Sequence, residues 1–410
     1  MTVLTSPTMA RRAQILSLIG SSHGMSHFYG FALAYPMVNS LKAEFGVSYA
    51  ALGFLLAILN ITTAVVQIPV GYAVDRIGPR VFLPTGLFLM ATGIGAVAFA
   101  TDYWMLVVLM IVAGAGNAMF HPVNFTILTQ TMEQSFMGRA FSIHTFSGNI
   151  GMWLVPGTMF VLTEWWGWQN ALMFAGIIGL ALAALVLVCG HVFQPTEIAA
   201  DEVAENKAVS MEEGTRVILS RPILLMSAFF AFSTLVITAM QTFMPVALVQ
   251  IHGVSAAFGT KAVTTYLIAS GAGILLGGYL VDKMPYHRSM ANVVLVGSAI
   301  FLLLVGVWDL SPTMILVLLS GAGLVHGLLR PARDIIARSM TPDHSTGKVF
   351  GFLSTGLSIG NAIAPVLFGW IIDIGSPAWV FYGSAIILII SIPTLGSTQV
   401  DTRMSPATNP

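Results

Sequence analysis

Gly71-Tyr72-Ala73-Val74-Asp75-Arg76 and Gly278-Tyr279-Leu280-Val281-Asp282-Lys283 are two copies of one hexapeptide, 207 residues apart in a chain of 410. Gly46-Val47-Ser48 recurs at the same offset as Gly253-Val254-Ser255, and Gly114-Ala115-Gly116 as Gly321-Ala322-Gly323. Beyond that point the offset becomes 209. Pro122 then pairs with Pro331, Gly138-Arg139 with Gly347-Lys348, Phe141 with Phe350, Gly151 with Gly360 and Pro156 with Pro365. A fixed spacing held over this many positions is the mark of an internally duplicated architecture.

Composition says what is duplicated. The chain is 56% hydrophobic and only 8% charged, about a third of the usual soluble share. Crossing a bilayer takes ~20 mostly apolar residues in a helix. Twelve stretches without Asp, Glu, Lys or Arg reach that length: 13–41, 45–74, 81–101, 103–132, 140–163, 165–196, 222–260, 262–281, 289–308, 310–329, 349–372 and 374–400. They are continuously apolar rather than alternating, which argues against a barrel. The expected fold is an all-α membrane protein of twelve transmembrane helices in two pseudo-symmetric bundles. Residues 1–192 and 222–410 form the bundles, and 193–221 is a linker. Six helices per half give both copies one orientation, a parallel repeat about the membrane normal.

Charge placement orients the chain. With the N-terminus in the cytoplasm, thirteen Lys/Arg lie on that side and only Lys42 and Lys261 opposite, while Arg330 and Arg333 fall in the tenth helix. That asymmetry satisfies the positive-inside rule and places both termini in the cytoplasm, with the first helix as insertion signal. The zero formal net charge offers no electrostatic case for nucleic acid. Cys189, the single cysteine, rules out an intrachain disulfide. The acidic stretch within 191–221 reads as a solvated face.

The loop Gly71-Tyr72-Ala73-Val74-Asp75-Arg76-Ile77-Gly78-Pro79-Arg80 resembles the hallmark loop of the major facilitator superfamily, and the resemblance spans essentially the whole chain. It implies a secondary transporter of a bacterial cytoplasmic (inner) membrane working by alternating access. Helices one, four, seven and ten would line a central cavity. Gly71, Asp75, Arg76, Gly78 and Arg80, with the weaker copy Asp282 and Lys283, would form a cytoplasmic latch. On this reading Gly71 permits close helix approach, and Asp75 faces a helix N-terminus or an arginine. The fifth helix, Gly148-Asn149-Ile150-Gly151-Met152-Trp153-Leu154-Val155-Pro156-Gly157, matches the family's antiporter signature only in part. Met110 stands where an arginine is often found. Phe120-His121-Pro122 is similar to fosmidomycin-resistance carriers over three residues.

Ionisable groups within membrane helices are functional candidates by default. His326, Arg330, Arg333 and Asp334 fall within about 100° of one another on the tenth helix. Arg330 and Arg333 either bind an anionic solute or snorkel to headgroups and close a gate. Asn117, His121 and Asn124 share one predicted face of the fourth helix, and His121 corresponds to Arg330 under the repeat. His23 and His27, at i and i+4, are candidates for proton relay, anion contact or a hydrogen-bonded structural pair. A zinc pair has no acidic or thiol ligand nearby in sequence. Gln241 joins the candidate binding set. Asn60, Gln67, His144, Asn149, Thr238, Thr242, Ser358 and Asn361 read as interhelical glue.

Gly356-Leu357-Ser358-Ile359-Gly360 spells a hydrolase elbow, but within a helix, and no phosphate-binding loop exists. No enzyme activity, cofactor or metal is expected. The resulting expectation is a monomeric, proton-coupled carrier of a small organic anion. Its substrate would meet His27, Asn117, His121, Asn124, Gln241, Arg330 and Arg333, with Asp334, His23 and His326 in coupling. Drug or metabolite efflux is the alternative within the class. A solute sensor signalling through the linker is the alternative outside it.

Overall fold

The Gly-Val-Ser triplets that recur 207 residues apart are helix starts. Gly46 and Gly253 adopt φ of 61° and 64°, a left-handed turn that disfavours any side chain. Two residues on, the Ser48 hydroxyl accepts the Ala51 N–H at 3.1 Å and the Ser255 hydroxyl accepts the Phe258 N–H at 3.2 Å. Each serine satisfies one of the donors a helix N-terminus leaves open, a contribution of about 1 kcal/mol.

The structure, a computed structural model, describes residues 9–36, 40–193, 219–284, 286–307, 309–341 and 346–395. The predicted linker therefore lies almost wholly outside the described residues. The long helices are α1 (Met9–Ala32), α2 (Tyr49–Ile77), α3 (Phe82–Gly95) and α4, in two pieces (Tyr103–Asn117 and Phe120–Thr131). Gln134–Cys189 runs on as helix except at Gly167, whose φ of 79° and ψ of 159° divide it into α5 (134–166) and α6 (168–189). Then come α7 (Arg221–His252), α8 (Ala256–Lys283), α9 (His287–Val307), α10 (Pro312–Ser339), α11 (Thr346–Asp373) and α12 (Trp379–Ser391). Among the described residues nine helical segments are long and apolar enough to cross a membrane. One of the nine is the divided Arg139–Phe193 segment. With α1 and the shorter α12 the twelve predicted spans are accounted for.

Helix ends depart from the charge-free runs. The run 222–260 crosses a chain reversal, since α7 stops at His252 and Lys261 lies inside α8. The run 310–329 stops short, because α10 continues through Arg330, Arg333, Asp334 and Arg338. Lys and Arg are good helix formers, so a charge marks the end of an apolar run and not the end of a helix.

Contacts group the chain into two units that cut across the sequence halves: Met1–Ala208 with Ile237–Leu267 and Asn361–Val380, and Val209–Val236 with Ile268–Gly360 and Phe381–Pro410. Within the first, α1 crosses α5 backbone to backbone. An added Cβ at Gly151 would overlap the Gly24 carbonyl, and one at Gly24 would lie 3.1 Å from the Ser147 oxygen. Within the second, α7 crosses α11 the same way, with Gly356 against Ser227 and Gly360 against Ala231. These are the repeat-related positions, so the duplication extends to the packing. Small residues four apart let helices approach where lipid offers no hydrophobic drive for association.

Candidate functional site

The α1–α5 crossing gathers histidines that the sequence scatters. Nδ1 of His23 lies 2.8 Å from the His144 carbonyl oxygen, and Nε2 of His23 lies 3.1 Å from Nε2 of His27. A carbonyl only accepts, so His23 carries its proton on Nδ1; in the neutral ring its Nε2 is then a lone pair, and His27 donates to it. The result is a directed chain from His27 through His23 to the α5 backbone. The His144 ring stacks on His23 at 3.8 Å, and the His121 ring stands edge-on at 5.6 Å. His23 and His144 are buried, at 4% and 3% exposure, whereas His121 is exposed. Gly148 makes room: its added Cβ would come within 2.6 Å of His23 Cε1 and 3.1 Å of His27 Cδ2. The partial glycine pattern of the fifth helix thus has a local explanation in the imidazoles and in Gly24.

The helix that carries the predicted α4 face is interrupted, and its three residues meet different surroundings. Pro122 cannot donate to the Ala118 carbonyl, and α4 breaks at that point. Asn117 donates to Thr63 Oγ1 of α2 at 3.2 Å. Asn124 is fully buried, and its amide meets no hydrogen-bond partner among the described residues. Only His121 joins the histidines. Gln241 is buried with Thr242 beside a cavity of about 30 Å3, where neither side chain meets a hydrogen-bond partner among the described residues. Phe31, Tyr35, Met152 and Val263 also line it. The cavity has room for water, which suits the two polar side chains, and is far below the ~300–1,000 Å3 of a drug-sized site.

On α10, His326 is buried at 3% exposure. Arg333 pairs with Asp334 at 2.9 Å, and its guanidinium lies 4.1 Å over the Phe230 ring of α7. Its side chain is 14% exposed against 51% for Asp334. Arg330 is half-buried one turn earlier.

The latch loop shows one local requirement for glycine and one correction. Gly78 has a φ of 89° at the end of α2, which only glycine adopts readily. Gly71, expected to admit a neighbouring helix, would place an added Cβ with nothing within 4 Å, and Gly278 is the same. Close approach is therefore not what glycine provides there in this structure. Arg76 and Arg80 are exposed, and Lys283 lies 5.8 Å over its own helix's Tyr279. The side chains of Asp75 and Asp282 lie outside the described residues.

Sequence reasoning passed over Asp373. Its two carboxylate oxygens accept the Tyr49 and Ala50 N–H groups at 2.9 and 2.8 Å, capping α2 from the end of α11. Beside it α11 lies against α2, Gly369 on the Tyr49 carbonyl and Gly53 on that of Pro365. An anion on a helix N-terminus is favourable, though exposure limits it to roughly 1 kcal/mol. Asp373→Ala is expected to speed hydrogen exchange at the Tyr49 and Ala50 amides; unchanged exchange would remove the tie.

A duplicated twelve-helix membrane fold with buried histidines and a half-buried arginine pair on one helix has the architecture of a carrier of solutes. The chain belongs to the major facilitator superfamily: the model of that family, described as Major Facilitator Superfamily, matches residues 22–263 and 237–403. It is similar to the multidrug resistance protein MdtH of Photorhabdus laumondii, with 24% identity over 84% of each chain. It is also similar to a probable L-galactonate transporter of Escherichia coli K12, with 24% identity over 82% of this chain and 77% of that one. In fold it resembles a bacterial homolog of the human lysosomal transporter Spinster in an inward-facing, occupied conformation. The TM-score is 0.79 at 16% identity, covering 98% of this chain and all of that one. The chain is a multi-pass membrane transporter of the secondary type, not an enzyme.

Proposed function

We propose that the chain moves a small organic anion across the cytoplasmic membrane in exchange or symport with protons, as a monomer with both termini in the cytoplasm and with 1–192 and 222–410 as its two bundles. The observation that carries the anion is the seat of Arg333. A snorkelling arginine extends its guanidinium toward headgroups; this one folds onto Phe230, largely buried, with a carboxylate on one side. α10 carries Arg330, Arg333 and Arg338 against one acid, Asp334. The relative named as a probable L-galactonate transporter, whose solute is a carboxylate, supports the same substrate class. The His27–His23 chain supports protons as the coupling ion, because a ring N–H donating to a ring lone pair is a path along which a proton can pass. Asp334 then serves as the partner of Arg333, and the latch role of Asp75 and Asp282 rests on the loop resemblance.

Lysine keeps the charge of arginine but neither its planar stacking nor its two-pronged hydrogen bonding. With galactonate as the probe, Arg333→Lys and Arg330→Lys are each expected to weaken binding to purified protein by roughly 5- to 150-fold, the equivalent of ~1–3 kcal/mol. Wild-type affinity in both variants, or no binding of any sugar acid by the wild type, would sink the anion reading. The MdtH relative favours drug efflux as a second reading, and drug-dependent proton movement in liposomes would establish it instead.

A further inference from the structure

We infer that His23, His27, His121 and His144 form a binding site for a divalent transition-metal cation of the zinc class. Ligand atoms of His23, His121 and His144 all lie within 4.8 Å of one another, and Nε2 of His27 stands 3.1 Å from Nε2 of His23. A tetrahedral ion with metal–nitrogen bonds of 2.0–2.1 Å holds its ligand nitrogens about 3.3 Å apart. His23 and His27 already stand near that separation. His121 and His144 need to close by at most about 1.5 Å, and the His144 ring must turn out of its stack on His23, movements within the reach of side-chain rotation; His121 is exposed.

Three further observations favour a ligand over interhelical glue. Nδ1 of His144 is buried and meets no hydrogen-bond partner among the described residues, a costly arrangement for a residue whose only task is to hold helices together. The Nδ1–H of His23 is directed to a backbone carbonyl, which leaves Nε2 as a lone pair and fixes the ring, the arrangement that metal-binding histidines commonly show. Gly148 keeps the ring space open from α5. The donor set also selects the ion. All four donors are imidazoles, with no carboxylate among them, so zinc, copper, nickel or cobalt suits the site and magnesium or calcium does not. Binding asks only that the His27 proton shift from Nε2 to Nδ1, so no net charge is created in the ring pair.

The inference stands apart from the transport reading, because it concerns binding to the resting protein with no solute and no gradient. The test is Co2+ titration of the purified full-length chain, followed by displacement with Zn2+ and a metal count per chain. The expected result is one saturable ion per chain with the intense visible bands of a four-coordinate nitrogen site. His121→Gln and His144→Gln should each weaken binding at least ten-fold while eluting as folded protein. His191→Gln and His287→Gln, on residues outside the cluster, should bind as the wild type does. Absence of saturable Co2+ binding, only the weak bands of a six-coordinate ion, or full affinity in His121→Gln would overturn the proposal. Galactonate binding measured on the same preparation distinguishes a failed metal site from a failed transport reading.

Discussion

Gly151→Ala is expected to cost the protein most of its folded yield, whereas Gly157→Ala, six residues along the same helix, is expected to leave it intact. The two substitutions add the same methyl group. At Gly151 it would occupy the place of the Gly24 carbonyl oxygen, and no rotamer can move a backbone atom aside. α1 and α5 must then separate along the whole crossing, giving up the His23–His144 contact and the neighbouring Gly20–Ser147 packing. Overpacking in a yielding core costs ~1–3 kcal/mol, and a rigid backbone contact belongs at or above the top of that range. At Gly157 nothing lies within 4 Å, so the gain in helix propensity, ~0.5–1 kcal/mol, is what remains. Thermal unfolding of the detergent-purified variants separates the cases. Equal midpoints would mean that the crossing is not as close as described.

His23→Gln is the second large effect, and it falls on energy coupling. Glutamine can donate its amide N–H to the His144 carbonyl and accept from His27, so the two hydrogen bonds and the packing survive. It cannot take up a proton near neutral pH. If His23 is the proton carrier, accumulation of solute driven by a pH gradient should fall at least ten-fold in liposomes. Solute counterflow, which needs no net proton movement, should persist. Asp334→Asn should have the smaller effect on accumulation, because that carboxylate is exposed and engaged with Arg333. Undiminished accumulation in His23→Gln would remove the histidine chain from coupling.

The comparison of sequence and structure divides along a physical line. What repeats or is continuously apolar was legible: the duplication, the twelve spans and the class of protein. The Gly-Val-Ser triplets were legible only as repeat markers; the left-handed turn and capping serine that they encode are seen in the structure. The candidate site was only half legible. His23 and His27 share one helix face and were visible together, but His144 lies 121 residues further on and was read as glue. Periodicity on one helix says nothing of which neighbour that face meets. The surroundings of Asn117, His121 and Asn124 were not legible, because the interruption between Asn117 and Phe120 and the helices packed against it do not show in one helix's periodicity. Lys261 was misread, and Asp373 passed over, for a third reason. Charges were used as markers between helices, and these two lie in helices.

The crossings of α1 with α5 and of α7 with α11 have a mechanical consequence. Where backbone touches backbone at small residues a turn apart, there is no side chain to bend and no ridge to slide over. Each pair can tilt about the contact but cannot shift along it. Gly24 on Gly151 and Ala231 on Gly360 therefore act as fulcrums, one to each half. Residues beside a fulcrum move little when the arms swing, and His23 sits one position from Gly24. His23 therefore lies close to the contact about which α1 and α5 can tilt.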